Sequence, residues 1–143
     1  MSTSDTNFCL PSLQDGKHFC LNEYHGKLIL LTFWVTWCPA CQSDLPKKEV
    51  FYRSMQSEHI QFFSINVSGR EPQPTEVPSY IEEHGFTFPV LLDRGRQVYD
   101  QYGITSVPTT ILIDRQGIIQ GRYDEHVPFS DIIADLGTLL SST

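Results

Sequence analysis

The chain has 143 residues and carries 17 Asp and Glu against 10 Lys and Arg, a formal net charge of −7. That length suits one domain burying about two thirds of its unfolded surface. The acidic balance argues against nucleic acid or an anionic membrane as partner, since both need clustered positive charge.

The start, MSTSDTNFCL, lacks the basic and apolar regions of a signal peptide, and the longest apolar run, Leu28 to Val35, is too short to span a bilayer. The chain as written is therefore expected in the cytoplasm, as a monomer. The alternative is an extracytoplasmic domain whose anchor precedes Met1, and membrane contact is expected only in that case.

Residues 7–24 read as a hairpin, with Phe8, Leu10, Phe19 and Leu21 facing inward and Asp15-Gly16 at the turn. The run from Lys27 to Val35 is apolar without alternation, the pattern of a strand covered on both faces. A helix should follow, with Pro39 in its first turn, an apolar face of Leu45, Phe51, Tyr52 and Met55, and a kink at Pro46. Residues 60–67 form the next strand. Thr75 is placed to cap a helix to about His84, and Gly85 to end it.

Residues 88–93 read as a strand, 95–103 as a short helix, and 109–123 as a second hairpin around Arg115-Gln116-Gly117. An amphipathic helix closes the pattern, with Ile132, Ile133, Leu136, Leu139 and Leu140 on one side. This order predicts an α/β fold: a mixed central sheet with helices on both faces, an N-terminal β-hairpin and an α-β insertion near residues 75–92.

The chemistry lies in Cys38-Pro-Ala-Cys41. The expected strand end and helix start put Cys38 at the helix N-cap, facing solvent, and Cys41 one turn inside on the same face. Partial positive charge and unpaired N–H groups at a helix N-terminus favour a thiolate at Cys38. Cys38 is then the nucleophile and leaving group, and Cys41 the resolving thiol. Pro39 offers the sulfur no N–H, and Ala40 adds no charge.

Trp37 either forms a platform for a partner or packs at the strand end. A zinc site would need two more ligands at suitable spacing, and the five histidines do not supply them, so no metal is expected. By alternation Cys9 and Cys20 face outward nearly opposite each other. They read either as a cross-strand disulfide or as two free thiols.

FWVTWCPAC, SVPTT and LIDRQGII together resemble a thioredoxin-fold protein, and the hairpin segment, CQSDLP and FPVLLD narrow the resemblance to the TlpA/ResA-like thiol–disulfide oxidoreductases, relatives of the redoxin (AhpC/TSA-related) proteins. The resemblance covers about residues 7–140. It implies a single thioredoxin-like domain across 1–143 and a cis Val107–Pro108 bond beside the cysteines. It further implies that the Val107 backbone pairs with an extended substrate.

The resemblance also implies an acid near the thiols. Thr32 stands where thioredoxin has a buried aspartate. Asp44 stands where this branch often has a glutamate, and could relay a proton at Cys41. The implied activity is dithiol–disulfide exchange with protein substrates, mostly as a reductant, recycled by a partner redox protein and needing no organic cofactor. Two other readings stand beside it. A redoxin-type thiol peroxidase would need a threonine three residues before its reactive cysteine, where Val35 precedes Cys38. A non-catalytic binding module would use only the groove at Val107 and Pro108.

Overall fold

The computed structural model of the protein describes residues 6–55 and 57–142. The other residues of the expected 1–143 domain, including the polar Met1–Asp5 start, lie outside the described residues. A two-stranded hairpin, β1 (Cys9–Pro11) and β2 (His18–Cys20), precedes β3 (Leu28–Trp34), α1 (Pro39–Ser54) and β4 (Ile60–Asn66). Then come α2 (Val77–His84), β5 (Val90–Leu92), α3 (Gln97–Gln101), β6 (Thr109–Ile113), β7 (Ile119–Tyr123) and α4 (Phe129–Ser141).

The main sheet has the order β5-β4-β3-β6-β7. β3 is central, parallel to β4 and antiparallel to β6, so its seven residues are all buried. This accounts for the unalternating apolar run: both faces need covering. Alternation puts Phe33 and Trp34 on opposite faces. Phe33 meets Tyr99 of α3 and Tyr102, whereas Trp34 packs on Tyr80 of α2. Phe62, on the Trp34 face by register, meets Tyr52 of α1, and Phe51 of α1 meets Phe129 of α4. Helices α1, α2 and α4 therefore share one face. The opposite face holds α3 and the N-terminal hairpin, whose Phe19 packs on Phe63.

Three local expectations change. Thr75 caps nothing: a 3-10 turn at Pro74–Glu76 leads directly into α2, whose N-cap is Glu76. Two prolines, Pro74 and Pro78, set this entry instead of a hydroxyl, each in the first turn where a missing N–H is tolerated. The first hairpin is shorter than read, because Leu21–Tyr24 winds into a 3-10 helix. Met55 is the C-cap of α1 rather than part of its face, and the helix runs through Pro46. Gly85 ends α2 in the left-handed region, φ 67°.

One carboxylate ties α1 to the segment that leads into β5. Glu49 accepts from Thr87 N (2.8 Å), Thr87 Oγ1 (2.6 Å), Phe88 N (3.2 Å) and Arg53 Nε (2.5 Å). Burial alone would raise its pKa, but these hydrogen bonds outweigh it and hold the carboxyl below its ordinary value of 4.5. A folded value below the unfolded one gives stability that is present above about pH 4.5 and lost as pH falls through the folded value. We expect Glu49→Gln to flatten the acid limb of the thermal midpoint against pH. An unchanged acid limb would remove Glu49 from acid stability.

Candidate active site

The end of β3 and the start of α1 meet at Thr36–Cys38. Cys38 is the N-cap of α1 with extended backbone (φ −89°, ψ 118°), and Pro39 takes the first helical position. The Cys41 amide donates to Cys38 Sγ at 3.2 Å, so the Cys38 sulfur accepts a helix N–H directly. Both cysteines are free thiols. Cys38 does not face solvent as expected: it is 7% exposed, and Cys41 is fully buried. The covering group is the chain before β6, where the Val107–Pro108 bond is cis and Cys38 Sγ donates to Val107 O at 3.5 Å. Val107 and Pro108 are buried, while Pro39 stays exposed.

Trp37 is 49% exposed beside this sulfur. Its indole N–H donates to Arg70 O at 2.9 Å, and the Arg70 guanidinium lies over the ring, 5.4 Å from its centroid. The ring is thus held as a fixed surface rather than packed away.

Residues that sequence reasoning missed hold this corner. Glu71, 8% exposed, accepts from Thr36 N (2.8 Å), Thr36 Oγ1 (2.6 Å) and Asn66 Nδ2 (2.7 Å). Tyr80 reaches the site from α2. Burial first, then the charges of Cys41, Glu71 and Cys38, push its phenol pKa up. Among the described residues, Tyr80 O–H, Trp34 Nε1 and Asn66 Oδ1 are buried polar atoms with no hydrogen-bond partner.

Burial also pushes the Cys41 thiol well up. A hydrogen bond from the Val35 backbone opposes that rise, while Cys38 and the Asp44 charge add to it. Burial therefore favours the protonated thiol at Cys41. Thr32, beneath the site, shares a hydrogen bond with Thr110 at 3.1 Å, hydroxyl to hydroxyl.

Asp44 is one turn beyond Cys41, but it is not a solvated helix carboxylate. The Lys48 ammonium contacts both of its oxygens, at 2.8 and 2.7 Å, and the Lys48 side chain is 1% exposed. Cys9 and Cys20 lie outside this constellation. They pair directly across β1 and β2 and form a disulfide, S–S 2.02 Å. Among the described residues, no group of three or more His, Cys, Asp or Glu is arranged to hold a metal ion.

The model of the AhpC/TSA family matches residues 4–122. The chain belongs to the AhpC/TSA family. Among curated relatives, the thiol-disulfide oxidoreductase ResA of Halalkalibacterium halodurans is 37% identical over 113 residues, which cover 79% of this chain and 62% of that protein. The chain spans 62–63% of the length of the first ResA relatives it matches. The crystal structure of StoA from Bacillus subtilis superposes with a TM-score of 0.78 at 25% identity, covering 88% of this chain and 92% of that one. The exposed lipoprotein thioredoxin Etrx1 of Streptococcus pneumoniae gives a TM-score of 0.78 at 26% identity, covering 93% and 99%. The fold is thioredoxin-like.

Proposed function

We propose that this protein is a thiol–disulfide oxidoreductase that reduces disulfides in protein substrates. The observation that carries the reading is the placement of two free thiols at the start of α1, with the Cys41 amide on Cys38 Sγ and the Val107 carbonyl beside it. The Cys38 thiolate attacks one sulfur of the substrate disulfide. That S–S bond breaks, a mixed disulfide forms, and the first substrate sulfur leaves as a thiolate. The Cys41 thiolate then attacks Cys38 Sγ, the second substrate thiolate leaves, and a Cys38–Cys41 disulfide closes. Two electrons pass to the substrate, and its thiolates take up protons. A partner dithiol returns the electrons, so the chemistry uses no other cofactor.

Trp37, Pro39, Val107 and Pro108 form the docking surface in this reading, with the backbone at Val107 taking an extended substrate segment. We read residues 7–140 as one domain acting as a monomer. The Cys9–Cys20 disulfide supports work in an oxidising compartment rather than the cytoplasm. No helix among the described residues is long and apolar enough to cross a membrane.

The test is the reduction potential of the Cys38–Cys41 pair, followed by tryptophan fluorescence in dithiol and glutathione buffers with alkylation as a check. A value near that of thioredoxin, about −270 mV, is expected for a reductase. A value well above the glutathione poise would make it an oxidase or isomerase. Absence of a reversible two-electron transition would remove the exchange reading, and fast turnover of peroxide would replace it with a thiol peroxidase.

A further inference from the structure

Lys48 is a buried cation that the exchange steps above do not use. Its side chain is 1% exposed, and its ammonium lies 4.5 Å from the centroid of the Phe129 ring on α4. An isolated ammonium at such a site is costly to bury. The compensation comes from Asp44, whose two oxygens both accept from Nζ, and from the ring face. The pair lines a cavity of about 170 Å³ together with Pro108, Thr110 and Phe129. Positions 41, 44 and 48 follow the helical spacing that keeps them on one face.

We propose that Lys48 is a positioning residue that holds Asp44 in a neutral ion pair beside Cys41, so that the Cys41 thiolate forms without facing an uncompensated carboxylate. This rests on the exchange reading above. The carboxylate is bound by the ammonium at both oxygens, so both are already engaged by Lys48. The pair thus acts on Cys41 through charge, in place of the proton relay expected from the sequence.

The reciprocal influences agree in sign. The Asp44 charge disfavours the Cys41 thiolate. Burial lowers the pKa of Lys48, while Asp44 and, more weakly, Cys41 favour its charged form. Other charged or titratable groups around this face are Cys38 and Lys47 on α1, Tyr80 from α2, and Asp124 and Glu125 from the turn before α4. Among the described residues, none of these groups is hydrogen-bonded to the Lys48 ammonium, which donates to Asp44.

The test uses the reduced protein and an aromatic disulfide that releases a coloured thiolate. Cys38 releases the first equivalent, and Cys41 releases the second by resolving the mixed disulfide. We expect Lys48→Met to slow the second phase about three- to tenfold at neutral pH, with its pH profile displaced upward. Lys48→Arg should stay near the parent rate. The double variant Lys48→Met with Asp44→Asn should recover it, which a packing defect would not do.

A second phase that Lys48→Met leaves unchanged overturns the proposal. So does a double variant as slow as the single one, which would return Asp44 to a proton relay. Should Lys48→Met fail to fold, Asp44→Asn alone decides: a faster second phase supports the ion pair, and an unchanged or slower one overturns it. A parent protein with no second phase at all would instead sink the exchange reading itself.

Discussion

Cys38→Ser should reduce disulfide exchange to the background of free thiols in solution, whereas Cys41→Ser should keep the first attack and accumulate mixed disulfides. The asymmetry follows from the site. Cys38 is the sulfur that accepts a helix amide and touches the substrate-side carbonyl of Val107. Cys41 is wholly buried, and its thiol pKa is pushed up by that burial. It can reach only a disulfide already formed on Cys38. Without Cys41 the mixed disulfide has no internal exit, so substrate stays attached until an external thiol arrives. Gel shift under non-reducing conditions, with mass spectrometry of the adduct, reads this directly. Adducts accumulating on Cys41 in the Cys38→Ser protein would reverse the assignment.

The second large effect is expected at Glu71. Its carboxylate gathers Thr36 N, Thr36 Oγ1 and Asn66 Nδ2, joining the end of β4 to the loop that presents Trp37 and Cys38. Charge-assisted hydrogen bonds of this kind contribute about 1.5–3 kcal/mol each, and donors left unpaired in the interior add their own cost. Glu71→Ala should therefore lose about 3 kcal/mol or more in denaturant unfolding. Exchange should slow as well, because the Thr36 backbone leads straight into Cys38. Glu71→Gln, which keeps one acceptor, should fall between the two. A Glu71→Ala protein as stable as its parent would show that the corner is held by packing alone.

The parts legible in the sequence are those set by short-range rules. A short unbroken apolar run suits a strand covered on both faces, and β3 is that strand. A cysteine followed by proline after such a strand marks a helix N-cap, and Cys38 occupies it. Gly85 stands where a left-handed residue ends α2. The parts that were not legible depend on contacts across the chain. Thr36 and Glu71 are 35 positions apart and share no period. Tyr80 comes within electrostatic reach of the thiols because α2 packs over Trp34.

Lys48 sits in a Lys-Lys-Glu run that reads as solvated surface. The signal available was its seven-residue spacing from Cys41, which returns it to the buried face of α1. Cys38 was expected in solvent because nothing local reveals that the segment at Val107 folds over it.

The N-terminal hairpin has one more consequence. Strand β5 ends the main sheet on one side. The hairpin lies against it: Leu13 N donates to Val90 O at 2.8 Å, Val90 N donates to the Gln14 side chain at 3.2 Å, and Ser12 bridges Leu91. An open β-edge is a template on which other chains add and aggregate. Here that template is occupied by residues 12–14 of the hairpin, and the Cys9–Cys20 bond closes the loop that carries them. Opening the Cys9–Cys20 bond would therefore loosen the segment that covers the β5 edge, and a reduced protein would expose a strand edge that the oxidised one keeps paired.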